Sequence, residues 1–100
     1  QHVIMRAMIR SFRGRRAEAV FRRESCRGLS PGVQRAAYRK LLMLDAAMVL
    51  ADLRIPPGNR LEKLTGDRAG QYSIRVNDQW RRCFRWQRGD AFDVEITDYH

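Results

Sequence analysis

The sequence is poor in the residues that most enzyme chemistry uses, with two cysteines and two histidines among 100 residues. Cys26 and Cys83 form no Cys-x-x-Cys pair and have no histidine beside them. A zinc site and a secreted disulfide framework are therefore both without support, and free thiols in a reducing cytoplasm are the simpler reading. No glycine-rich phosphate loop is present, and no serine or cysteine nucleophile has a histidine near it in sequence, so neither a metal nor a cofactor is expected. Long apolar runs are missing too. Residues 41–44 and 46–51 are too short or too interrupted to cross a bilayer, and no signal-peptide core precedes them, so a soluble protein without membrane contact is expected.

Acidic residues are scarce in one part of the chain only. Residues 1–40 hold eleven basic side chains against Glu18 and Glu24, whereas residues 41–100 hold nine of each sign, so the first two fifths carry the whole excess of +9. Eighteen of the twenty basic residues are arginine. A genomic bias toward arginine explains that preference as well as function does, but it does not explain the segregation. Arginine's planar fork binds phosphate in bidentate fashion and stacks on bases. A basic part joined to a neutral part reads as a surface held against nucleic acid or against an acidic protein partner. For Arg15, Arg16, Arg22, Arg23 and Arg27, a merely solvated helix face is the plain alternative.

One hundred residues are enough for one domain that buries roughly 60–68% of its unfolded surface. Residues 1–7 read as an extension ahead of it. From Met8, "MIRSFR" alternates in part and fits a short strand, and residues 15–24 space Ala17, Val20 and Phe21 at helical intervals, with Gly28 near the C-cap. Ser30 before Pro31 is a strong helix start. Val33, Ala37, Leu41, Leu44 and Met48 then form one apolar stripe on a helix running to about Ala46. Pro56 and Pro57 enforce a loop. The second half alternates as sheet, with Tyr72, Ile74 and Val76, then Trp80, Phe84 and Trp86, then Phe92, Val94 and Ile96 on one face. Placing Phe84 opposite Val94 requires a three-residue turn of Arg88, Gly89 and Asp90, and sets Trp80 opposite Asp98 and Arg81 opposite Thr97. The two tryptophans read as core, and Cys83 as a small filler on the other face. The expected class is α+β, an N-terminal strand and two helices packed on a small antiparallel sheet.

That register gathers Arg81, Asp98, Tyr99 and His100 at one sheet end. An imidazole titrates near neutrality and can pass a proton, an arginine can stabilise extra charge on a phosphoryl group, and a tyrosine can hydrogen-bond phosphate or stack on a base. A charged hairpin end with a frayed last residue is the plain alternative. Strict alternation sets His100 and Arg81 on opposite faces, so the assignment requires the strand to twist or end before Tyr99.

The segments "GDRAGQYSI", "WRRCFRW", "GDAFDVEI" and the closing "DYH" resemble the HigB-type toxins of the RelE superfamily, from about Met8 onward. The resemblance implies a RelE-like fold and a metal-independent, ribosome-dependent mRNA endonuclease of the cytoplasm. It also implies neutralisation by a HigA-type helix-turn-helix antitoxin, with operator DNA reached only through that antitoxin. Arg81 matches the arginine of the family's "NWRI" strand, and Asp98, Tyr99 and His100 match its closing "DYH"; these four are the expected catalytic residues. Arg81 is assigned charge stabilisation and His100 a proton transfer, with Asp98 beside it. Lys63, Arg68, Arg60, Arg16, Arg22 and Arg23 are the expected RNA contacts. Two departures stand out. Thr65 occupies a position where the family often has lysine, which leaves Lys63 or Arg68 as substitute cations and Tyr99 or Lys63 as candidate general bases. Arg82 shares phase with Trp80, Phe84 and Trp86 where the family usually has an aliphatic residue, so its stem must snorkel to an edge or its head must find Asp98 or another acid. The alternative function is a catalytically weak module that binds RNA or antitoxin without significant nuclease activity.

Overall fold

The computed structural model describes residues 9–98. Residues 1–8, and with them the start of "MIRSFR", lie outside the described residues, as do Tyr99 and His100.

Helix α1 spans Arg15–Phe21 and α2 spans Pro31–Ala46. The Ser30 hydroxyl accepts the Val33 N–H at 3.2 Å, which caps α2 at the expected residue. Ala37, Leu41 and Leu44 are buried, as the stripe predicts. Met48 is exposed instead, because the backbone leaves the helix at Ala47 (φ −66, ψ 137) and the core is completed by Ala47 and Leu53. Helix α1 is shorter than its pattern: Arg23 turns left-handed (φ 60) and the Glu24 N–H returns to the Ala19 carbonyl at 2.9 Å, which closes the helix well before Gly28.

Four antiparallel strands follow in the order β1 (Glu62–Lys63), β2 (Gln71–Arg75), β3 (Trp80–Gln87) and β4 (Asp90–Asp98). Trp80 faces Asp98 and Arg81 faces Thr97, as the core pairing requires. The turn itself differs from expectation. Gln87 pairs with Asp90, leaving the two residues Arg88 (φ 53) and Gly89 (φ 80), whose positive φ values match the twist of the flanking strands. The offset is absorbed farther on, where Asp93 (φ 52) and Val94 together oppose the single Phe84. This bulge reverses the alternation, so Ala91 enters the core while Phe92 stands opposite Arg85 and is half-buried.

The N-terminal segment runs parallel to β4 through bridges at Ile9–Ala91 and Phe12–Val94 rather than as a continuous strand. The bulge interrupts this ladder, and Ser11 fills the gap: its hydroxyl accepts the Asp93 N–H at 2.8 Å. Both helices cover one sheet face, over a core of Ala17, Val20, Leu41, Leu44, Ile74, Phe84, Val94 and Ile96. Trp80 is buried beside them, and Trp86 packs edge-on to Phe84 from a half-buried position. Among the described residues no helix is long and apolar enough to cross a membrane.

Arg82 is fully buried in this core. It reaches neither an edge nor an acid, contrary to both sequence expectations. Its Nη2 donates to the Ala37 carbonyl of α2 at 2.8 Å, while Nε and Nη1 have no hydrogen-bond partner. Burial lowers its pKa to about 9.

Candidate active site

The sheet face turned away from the helices carries every second residue of β3, Arg81, Cys83 and Arg85 among them. Register brings Thr97 and Glu95 beside the first two from β4, Arg75 and Ser73 from β2, and Glu62 from β1. At its rim the chain between β1 and β2 makes a 3-10 turn, Gly66–Arg68, entered through extended Thr65. Gly66 takes φ 64 there, a conformation that favours glycine, and this lets the turn fold back over the sheet. The result is a cleft of about 560 Å³ lined by Thr65, Asp67, Arg68, Arg81, Cys83 and Asp98, with Leu64 and Thr97 completing its walls.

Two guanidiniums dominate its charge, and each is oriented by a carboxylate. Arg81 Nη2 lies 3.1 Å from Glu62 Oε1 with most of the Arg81 side chain buried. Arg68 Nη1 lies 3.0 Å from Glu95 Oε1 and donates to Gln71 Oε1 at the same distance. The hydrogen bond from Arg68 to Glu95 raises the Arg68 pKa further above its ordinary value, so the charge on Arg68 is permanent. Asp98 is exposed at the strand end and accepts from Gln79 Nε2 at 3.3 Å. Cys83 is buried at the cleft floor. Such an arrangement suits a phosphate diester, with two held cations for its oxygens and a carboxylate at the edge.

Arg81, Asp98 and Arg68, three of the residues selected from sequence, therefore meet in one cleft, together with Thr65. Lys63 does not join them. It pairs with Tyr72, on the helix side of the sheet, and lines a separate groove with that residue. Of the two substitutes for the absent lysine, Arg68 is the one in place. Arg60 is left-handed (φ 47) beyond the 3-10 turn Pro57–Asn59 and is not part of the cleft lining. Arg16, Arg22 and Arg23 belong to α1 and the segment after it, and each has an intramolecular contact. Arg16 lies 5.0 Å over the Trp80 ring, Arg22 lies 3.0 Å from Glu18, and Arg23 lies 5.0 Å over the Tyr38 ring. Arg16 and Arg22 also line a groove of about 520 Å³ with Arg15 and Arg27. Tyr99 and His100 lie outside the described residues.

Sequence reasoning missed Glu62 and Glu95. Glu95 was within reach of it, since it is in phase with Thr97 and opposite Cys83. Glu62 was not, because a strand of two residues shows no alternation.

The chain is 48% identical over 67 residues to Toxin HigB-1 of Vibrio cholerae serotype O1, covering 67% of this chain and 70% of that protein. It is 30% identical over 93 residues to Endoribonuclease HigB of Proteus vulgaris, covering 93% of this chain and 100% of that protein. Residues 10–100 match the HigB-like toxin family, whose description is the RelE-like toxin of type II toxin-antitoxin system HigB. With the α+β fold and the cationic cleft, this establishes that the chain belongs to the HigB-like toxins of type II toxin-antitoxin systems.

Proposed function

We propose that this toxin is a single-domain endoribonuclease that cuts mRNA on the cytoplasmic ribosome, and that the cleft between the Gly66–Arg68 turn and β3 is where the cut is made. The observation that carries the reading is the convergence of Arg81, Arg68 and Asp98 on one cleft. Without a metal, cleavage runs by attack of the ribose 2′-OH on the adjacent phosphorus. The O2′–P bond forms and the P–O5′ bond breaks, leaving a 2′,3′-cyclic phosphate and a 5′-hydroxyl. Arg81 and Arg68 stabilise the added charge on the crowded phosphorane. Lys63 is withdrawn as general base by its place on the other sheet face. Asp98 then takes the 2′-OH proton, with Tyr99 beside it in sequence, and His100 delivers a proton to the departing O5′. The arginine-lined groove of α1 supplies affinity for ribosomal RNA. Neutralisation falls to a HigA-type helix-turn-helix antitoxin, through which alone operator DNA is reached.

One observation favours the second reading, a binding module with little nuclease activity: Thr65 brings no charge to the cleft wall. Induction in cells separates the two. The wild-type chain should arrest growth and fragment mRNA, whereas Arg81→Ala and His100→Ala copies expressed to the same level should do neither. Arrest that persists in both variants without fragmentation would favour the binding module.

A further inference from the structure

Membership of a type II toxin family gives the chain an antitoxin partner. The groove that Lys63 shares with Tyr72, of about 440 Å³, lies between the 3-10 turn Leu50–Arg54 and β1, lined by Leu50, Ala51, Arg54, Leu61, Lys63 and Tyr72. Its walls are apolar or aromatic apart from two cations, and none of the lining residues is acidic. Neither the Arg54 nor the Lys63 side chain has a hydrogen-bond or ion-pair partner among the described residues. The turn is also bracketed by large apolar side chains standing in water: Met48 is 59% exposed, Val49 56% and Ile55 76%.

This exposure is enforced by the fold. The Asp52 carboxylate accepts the N–H groups of Met48 and Val49 at 2.9 and 3.2 Å, which fixes the entry to the turn. Buried Asn59 donates to the carbonyls of Leu53 and Ile55 at 3.1 and 3.4 Å and accepts from Lys40, which fixes its exit. A polar clamp that holds apolar side chains outward is the construction of a protein-binding surface. The groove of α1 sets Glu18 and Glu24 among its four arginines, whereas here the two cations stand beside Leu50, Leu61 and Tyr72 with no acid among them, which suits a partner that brings its own carboxylates and apolar groups.

We propose that this groove is the docking site for a segment of the antitoxin in which apolar side chains alternate with acidic ones. The apolar groups cover Val49, Ile55 and the floor at Leu50 and Leu61, and the carboxylates meet Arg54 and Lys63. β1 connects the groove to the cleft. Lys63 faces the docked segment, while its neighbour Glu62 faces the other way and holds Arg81 at 3.1 Å. A segment seated on Lys63 therefore bears on the strand that positions Arg81. The proposal rests on the toxin-antitoxin part of the function proposed above and not on its nuclease part.

The test measures the affinity of the purified antitoxin of this pair for the full-length toxin by calorimetry, with cleavage of ribosome-bound mRNA by antitoxin-free toxin measured separately. Arg54→Glu and Ile55→Asp, both at exposed positions, should each weaken antitoxin binding by at least about tenfold, the scale of an interface hot spot. Arg54→Lys, which keeps the charge, should stay within about threefold of wild type. Melting temperature and cleavage should be unchanged in all three. Unaltered affinity in both Arg54→Glu and Ile55→Asp overturns the proposal. So does a loss of RNA binding at unaltered antitoxin affinity, which would give the groove to RNA. A wild-type toxin that cuts no mRNA on programmed ribosomes would defeat the nuclease reading, while the affinity comparison would still decide the docking site.

Discussion

Replacing Arg82 with methionine should make the toxin more stable. The guanidinium is fully enclosed between β3 and α2, and burial lowers its pKa well below the ordinary arginine value, to about 9. A difference of one in pKa is worth about 1.36 kcal/mol, so holding this charge in the core costs on the order of 5 kcal/mol at neutral pH. Methionine retains the volume of the stem and forfeits one hydrogen bond, worth roughly 1 kcal/mol, to a carbonyl that keeps its own helical partner. The balance, together with the behaviour of other buried ions replaced by apolar groups, gives a gain of about 2–4 kcal/mol. For a chain of this size that is a rise in melting temperature of at least about 8 °C. Because the folded pKa lies below the unfolded one, the cost is present in full below about pH 9 and is relieved as pH climbs above it. The advantage of Arg82→Met should therefore be flat from about pH 6 to 8 and shrink only above about pH 9. Urea unfolding of the two proteins at several pH values measures it. A loss of more than about 2 kcal/mol in Arg82→Met would refute the reasoning, since it would mean that the guanidinium is satisfied by a specific buried partner.

Glu95→Ala should release Arg68 and lower the cleavage rate by about ten- to hundredfold with substrate binding little changed, and Glu95→Gln, which can still accept from Arg68 at 3.0 Å, should lose less. Equal losses in the two variants would show that Glu95 acts by charge and not by positioning. Reversing Arg16, Arg22 and Arg23 to Glu should flatten the salt dependence of ribosome binding by roughly 0.7–0.9 logarithmic units per phosphate contact removed. An unchanged slope would take α1 off the RNA-facing surface.

How much of this was legible from sequence depended on whether the signal was local. Helix α2 was legible because Ser30, Pro31 and the Ala37–Leu41–Leu44 spacing all act within a few residues. Met48 misled because the periodicity continued past the point where the backbone stopped being helical. The register that sets Arg81 opposite Thr97 was legible from the need to bury both Phe84 and Val94. The route to it was not, since a two-residue turn with a bulge at Asp93 and a three-residue turn without one give the same pairing at the far end. The same bulge exchanged Ala91 for Phe92 in the core. In the cleft, Arg81 and Asp98 followed from register alone. Lys63 and Glu62 required the pairing of a two-residue strand, which decides which of the two faces Arg81 and which faces the other way. Arg82 violated the burial pattern openly, and only the packing shows that the core accepts it through a single carbonyl.

The central claim, a metal-independent cut by the neighbouring 2′-OH in the Arg81–Arg68–Asp98 cleft, is tested most directly by the chemistry of the cut ends. Purified toxin would be added to ribosomes programmed with an mRNA whose cleavage site is known, with EDTA added after assembly at a level that leaves ribosomal magnesium in place. The upstream fragment should end in a 2′,3′-cyclic phosphate or a 3′-phosphate, and a single 2′-deoxy substitution at the cut site should abolish cleavage. A 3′-hydroxyl end, or undiminished cutting of the 2′-deoxy message, would contradict the account.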